Sequence, residues 1–174
     1  MTAVPTDGAA KLNLGCGSKT VPGFLGVDRF QNEATDIVHD LEIFPWPFAD
    51  NSIDYILMDN VLEHLADIVR TMEEIHRILK PRSLVQIIVP HATSTLAFAD
   101  PTHKHYFTEE SFYYFVKGFD YNYYSDARFE IASVKHIVNG RGIAKLRRYL
   151  PARRFLMKFF WNLCDAIDIT LRKV

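Results

Sequence analysis

The stretch KLNLGCGSKTVPGFLGVD, from Lys11 to Asp28, decides how the rest of the chain is read. Lys11–Leu14 is a short apolar run that reads as a buried strand, and residues 24–27 read as a second one. Gly15 and Gly17 stand at the tip of the first strand, where the lack of a Cβ lets a ligand approach the backbone closely. Asp28 stands at the tip of the second, where a carboxylate can accept both hydroxyls of a ribose. Only ten positions lie between Gly17 and Asp28, so no long helix fits between the strands. The third position of a G-x-G-x-x-G dinucleotide fingerprint is Thr20. A ligand holding a nucleoside but no phosphate suits this spacing better than a dinucleotide.

Outward from this stretch, strands alternate with helices or loops. Residues 37–41 (IVHDL), 53–58 (IDYILM) and 84–89 (LVQIIV) read as strands, and FPWPFADNS (44–52) as a proline-broken loop. Residues 60–79 have apolar positions at helical spacing up to Pro81, which predicts one long helix. Thr108 is an expected N-cap for a helix through Phe115. Residues 129–138 read as a strand, Asn139-Gly140 as a hairpin turn, and residues 142–146 as the returning strand. This order predicts an α/β, Rossmann-like, mostly parallel sheet of about seven strands with an antiparallel C-terminal hairpin strand and helices on both faces. The chain is expected to form a single domain over residues 1–174. Its parts would be a loose arm (1–10), the sheet core (11–150) and an extra C-terminal amphipathic helix (151–174).

The sequence has 174 residues, 48% of them hydrophobic, which suffices for one core. Two cysteines, Cys16 and Cys164, make no disulfide framework, and the N-terminus lacks a signal-peptide pattern. No apolar run reaches the roughly 20 residues of a membrane span. The expected location is cytoplasmic. The net charge of −1 conceals an asymmetry, since residues 141–174 carry nine Lys/Arg against two acids. A basic end on an acidic body suits an anionic partner, or a solvated face.

In α/β sheets ligands sit beyond the carboxyl ends of the strands. The residues there are Gly15-Cys16-Gly17, Asp28, His39-Asp40, Asp59-Asn60 and Pro90-His91. LNLGCG, then GVD, then DL…FPWPFADNSIDYI, then NVLEHL and EIHRILKP resemble, in that order, the class I S-adenosylmethionine-dependent methyltransferases. The branch they are most similar to is the small type 11 domains, here with a shortened first helix. The resemblance implies S-adenosylmethionine as cofactor and S-adenosylhomocysteine as product. It places Asn13, Gly15, Cys16 and Gly17 against the methionine and ribose parts. Asp28, with Arg29 beside it, would hold the ribose, and Asp40 and Leu41 the adenine. Asn60 would form a wall of the site, with His64 one turn on. Without the first helix, Ser18, Lys19 and nearby N–H groups are the candidates for the cofactor carboxylate.

A second constellation follows the fifth strand: His91, then Asp100, His103, His105 and Tyr106 in ADPTHKHYFTEESF. His91, His103 and His105 are candidate bases for an acceptor pocket, with Asp100 and Tyr106 beside them. The His-x-His spacing also allows a metal reading with His91 and Asp100, yet no fixed ligand set emerges, so no metal is assigned. A structural role in packing the loop is the third reading. DPTHKHYFT resembles loops of methyltransferases associated with sugar and polysaccharide biosynthesis, which implies a small-molecule or glycan acceptor methylated at oxygen. The alternatives are a catalytically inactive cofactor-binding regulatory or partner protein, and a nucleic-acid methyltransferase using the basic C-terminal region. Nucleic acid ranks low because no RNA-binding module is visible. The expected C-terminal helix would dock on the sheet, form a homodimer, or lie peripherally on an anionic membrane.

Overall fold

A computed structural model describes residues 10–119, 123–139 and 142–174. One seven-stranded sheet runs in the order β3-β2-β1-β4-β5-β7-β6. Its strands are β1 (Lys11–Leu14), β2 (Leu25–Asp28), β3 (Ile37–Val38), β4 (Ile53–Asp59), β5 (Leu79–Pro90), β6 (Phe129–Ile137) and β7 (Ala166–Lys173). β3, β2, β1, β4 and β5 pair in parallel, and β7 is antiparallel to both β5 and β6. This is the expected mixed Rossmann-like sheet. Strand order reverses between β1 and β4, which opens a crevice at their carboxyl ends.

Leu12, Leu14, Ile56, Met58, Val85 and Ile87 are wholly buried, the near-continuous apolar character of parallel strands covered on both faces. No helix lies between β1 and β2, or between β2 and β3. The second connection is tight because Asp36 accepts a 2.7 Å hydrogen bond from the Gly26 N–H. A Cβ at Gly26 would sit 1.9 Å from the Ala34 carbonyl oxygen, so only glycine allows the strand to lie so close. The proline-broken loop is held by Arg77, which donates to the Phe48 and Trp46 carbonyls and pairs with Glu74 and Asp50.

The single helix expected over residues 60–79 is two pieces. A 3-10 turn covers Leu62–His64, and α1 spans Ile68–Ile78. Asn60 has φ of 57°, and Asp67 accepts from the Arg70 N–H at 2.9 Å as the N-cap of α1. Two short helices, α2 (Leu96–Ala99) and α3 (Arg153–Leu156), complete the α elements. The 3-10 helix at Glu109–Phe115 has the expected start, a capping box between Thr108 and Ser111.

The expected C-terminal helix over 151–174 is not formed. Only Arg153–Leu156 is helical, and Ala166–Lys173 is a strand inside the sheet. Ile167 and Leu171 fit helical spacing, but Ile167, Ile169 and Leu171 also fit a period of two, and all three are fully buried. On the other face of β7 Asp168 is buried, and Thr170 and Arg172 are half-buried. Gln86 Nε2 donates to Asp168 at 2.9 Å, and Lys173 Nζ donates to the Leu79 carbonyl at 2.8 Å. The alternation of Ile167, Ile169 and Leu171 with Asp168, Thr170 and Arg172 marks the strand, and the coincident i, i+4 spacing of Ile167 and Leu171 is what suggested a helix. The returning strand is therefore β7, and Gly142–Tyr149 is a 3-10 helix. The division into a core at 11–150 and a helix at 151–174 falls with it. The loose arm, save Ala10, and the turn glycine Gly140 lie outside the described residues. No helix among those described is long and apolar enough to cross a membrane.

Candidate active site

A cavity of about 590 Å³ opens at the carboxyl ends of β1, β2, β3 and β4. That lies within the range of small-molecule sites. Its floor is the glycine loop. Gly15 has φ of +65° and its N–H donates to the Val27 carbonyl at 2.7 Å. A Cβ there would lie 2.6 Å from a Val61 methyl. Gly17 has φ of +51° with open space where a Cβ would stand. Its N–H donates to Asp28 Oδ2 at 2.9 Å, and the Phe30 N–H donates to Oδ1 at 3.0 Å. Asp28 is thus fixed at the cavity wall, with acceptor capacity left on both oxygens.

Of the cofactor candidates, Gly15, Gly17, Asp28, Arg29, Asp40, Leu41, Asn60 and His64 line this one cavity. Asn13 and Cys16 do not. Asn13 is buried beneath the loop and donates from Nδ2 to the Lys19 carbonyl at 3.1 Å. Cys16 is buried with its Sγ 3.4 Å from the Ala34 carbonyl, and burial raises its thiol pKa. Lys19 is turned to the far side of the loop, where its ammonium pairs with Asp59.

The loop after β5 covers the cavity rim. The Lys104 N–H donates to the Glu63 carbonyl at 2.8 Å, and Lys104 Nζ pairs with Glu42 at 2.7 Å. Thr102, Lys104 and Glu42 line the cavity and were not singled out from the sequence. Their position depends on a long-range strap that no local pattern reveals. The second constellation separates. His91 is buried; its Nδ1 accepts from the Thr93 N–H at 3.1 Å, and its Nε2 faces Glu109 at 3.7 Å. Burial lowers the His91 pKa. His105 contacts the Ala66 carbonyl at 3.2 Å and lines a second, shallower cavity of about 440 Å³. Tyr106 stacks on Phe98 with centroids 4.5 Å apart. Asp100 accepts from the Thr102 N–H and hydroxyl, and these bonds lower its pKa.

His103 meets His64 edge to face, centroids 4.8 Å apart, beside Glu63. Glu63 is 1% exposed, neither carboxylate oxygen has a hydrogen-bond partner among the described residues, and burial pushes its pKa up to about 7. Glu63 was not singled out as a site residue from the sequence, where it stands among Val61, Leu62 and Leu65.

Residues 12–87 match the family model described as a methyltransferase domain. No curated protein matches the chain. Solved structures share its fold. A SAM-dependent methyltransferase from Archaeoglobus fulgidus aligns with a TM-score of 0.65 and 16% identity, covering 95% of this chain and 87% of that one. An S-adenosylmethionine-dependent methyltransferase from Mesorhizobium loti aligns at 0.60 and 15%, covering 97% and 93%. A chain from the complex of the Haloferax volcanii Trm112 methyltransferase activator with a methyltransferase aligns at 0.60 and 16%, covering 95% and 82%.

The matched segment carries the glycine loop, Asp28, Asp40 and Asn60, and the whole sheet carries the fold. The chain matches a methyltransferase domain over residues 12–87 and shares its fold with S-adenosylmethionine-dependent methyltransferases. The match implies S-adenosylmethionine as the cofactor. The cavity fits that group: the floor is backbone that a Cβ would obstruct, and a carboxylate with no cationic partner among the described residues stands where ribose hydroxyls would donate.

Proposed function

We propose that this protein is an S-adenosylmethionine-dependent methyltransferase that acts on an oxygen of a small hydroxylated acceptor, of the sugar or glycan class. The observation that carries the reading is the polar rim built by the loop after β5. There Thr102 and Lys104 line the cavity together with His64 of the turn after β4. A wall of hydroxyl, ammonium and imidazole offers donors and acceptors to an acceptor with several hydroxyls.

In this reading Asp28 accepts from the ribose hydroxyls, Asp40 and Leu41 receive the adenine, and Gly15 and Gly17 let the methionine part lie against the backbone. Asn60 closes the wall at the end of β4. When bound, the cofactor supplies a methyl group on a sulfonium, already activated for in-line displacement. The protein then has to position the acceptor oxygen and exclude water. The Lys104–Glu42 pair ties the loop after β5 to the residues that follow β3. His91 and His105 stand outside this cavity, and in this reading they support the loop that covers it.

The test is release of S-adenosylhomocysteine with a panel of hydroxylated sugars, amines and short RNAs as acceptors. Turnover with a sugar, and a raised KM in Thr102→Val, supports the reading. Turnover with amines or RNA alone refutes it, and no turnover with any acceptor favours a regulatory cofactor-binding protein.

A further inference from the structure

Glu63 poses a problem that the methyltransferase fold does not solve. A carboxyl group with no hydrogen bond to either oxygen among the described residues is buried at the edge of a ligand cavity. Buried polar groups are almost always partnered, because desolvation without compensation is expensive. The 3-10 turn Leu62–His64 would tolerate an apolar residue here, since it is flanked by the buried Val61 and Leu65.

Two imidazoles stand next to this carboxyl group, and the hydrogen bonds around them fix their tautomers. His103 Nδ1 lies 2.7 Å from the Ala97 carbonyl, which can only accept. His103 therefore carries its proton on Nδ1, and its Nε2 lone pair stands 4.0 Å from Glu63 Oε1. The Thr102 hydroxyl donates to Asp100 Oδ1 at 2.7 Å, so it accepts from His64 Nδ1 at 3.0 Å. The Thr102 carbonyl, 3.4 Å from the same nitrogen, requires the same tautomer. His64 Nε2 is therefore the lone-pair nitrogen. Each ring is oriented by a donor bond on its other nitrogen, as metal-ligating histidines are.

Among the described residues, Glu63, His64 and His103 are the group whose ligand atoms converge, all within 4.8 Å of one another. We propose that these three residues bind one divalent first-row transition-metal ion at the rim of the cofactor cavity. Two neutral imidazoles and a carboxylate suit ions such as Zn²⁺, Co²⁺, Mn²⁺ or Fe²⁺ better than Ca²⁺, which takes oxygen ligands. In a tetrahedral zinc site with bonds of about 2.1 Å, ligand atoms stand about 3.4 Å apart. The group draws together by roughly an ångström on filling. The cation supplies the partner that Glu63 lacks.

Three protein ligands leave positions open, the arrangement of catalytic rather than structural sites. His64 lines the cavity, so the open side meets the space assigned to the acceptor. Resting on the oxygen-acceptor reading, an acceptor with adjacent hydroxyl or carboxylate oxygens would complete the coordination shell. The metal site itself stands without that reading.

The test uses the full chain, freed of metal with a chelator and titrated with Co²⁺ without acceptor or cofactor. Visible absorption and equilibrium dialysis report binding. One ion per chain, with d–d bands characteristic of mixed nitrogen and oxygen ligation, is the expected result. Glu63→Gln and His103→Gln should each weaken binding about tenfold or more. Glu63→Gln removes an unpartnered buried carboxyl at constant volume, so it folds, as circular dichroism would verify. His105→Gln should bind as wild type does. Co²⁺ should also raise the unfolding midpoint of wild type and not of Glu63→Gln. Folded wild type without saturable binding overturns the proposal, and so does equal binding by Glu63→Gln and His103→Gln. These outcomes do not depend on which acceptor is methylated, so a wrong acceptor class and a wrong metal site are told apart.

Discussion

Gly15→Ala and Gly17→Ala look alike in the sequence and differ in the structure. Both glycines have positive φ, which costs an L-residue about 1–2 kcal/mol. Only at Gly15 does the new Cβ collide, lying 2.6 and 2.8 Å from the two methyls of the buried Val61. Overpacking of that kind adds about 1–3 kcal/mol. Gly15→Ala should therefore lower stability by about 2–5 kcal/mol, and Gly17→Ala by about 1–2 kcal/mol. Urea denaturation of the four proteins in a cycle with Val61→Ala separates the two costs. The double variant Gly15→Ala/Val61→Ala should be about 1–3 kcal/mol more stable than the two single effects add to. Gly17→Ala should show the opposite balance. It folds almost as well as wild type but places a methyl group at the cavity floor, so S-adenosylhomocysteine affinity should fall about tenfold, roughly 1.4 kcal/mol. Equal stability loss at both glycines, or no coupling to Val61, would refute the assignment of Gly15 to close packing and Gly17 to the ligand face.

Arg77→Ala leaves Glu74, 8% exposed, without its guanidinium and should cost about 3 kcal/mol by urea denaturation, with Arg77→Lys a poor rescue because it cannot reach four partners. Asp54 is held below the usual carboxylate pKa by Lys80 and the Ala10 N–H. Because its folded pKa is depressed, the stability it contributes is complete above the ordinary carboxylate pKa. It is lost as pH falls through the folded value. Asp54→Asn should accordingly flatten the fall in urea midpoint between pH 6 and pH 3. Both thiols are buried, and burial pushes Cys164 up to about 12, so a thiol reagent should label neither cysteine until denaturant is added.

The cofactor half of the molecule was legible because its determinants are local. The ten positions between Gly17 and Asp28 exclude a long helix, and the apolar runs around them have strand length. β7 was not legible as a strand, because Ile167 and Leu171 fit helical spacing as well as strand alternation. Asp168 and Lys173 are neutralised by partners 82 and 94 positions away along the chain. The break in the helix at residues 60–79 turns on Asn60 and Asp67, whose polar side chains look like an exposed helix face until the cap is seen. The histidines after β5 show the same limit. Residue type marked them as chemical, yet only the fold sends His91 to Glu109, His105 to Ala66 and His103 to Glu63 and His64. Glu63 was concealed by its apolar neighbours, and its lack of partners is a property of the folded chain alone.

The most direct measurement is calorimetric titration of the purified protein with S-adenosylhomocysteine, comparing wild type with Asp28→Ala. Micromolar binding by wild type, lost in a folded Asp28→Ala, is the predicted result. Wild-type binding that survives Asp28→Ala would contradict the placement of the ribose. A folded wild type that binds nothing would contradict the cofactor site itself.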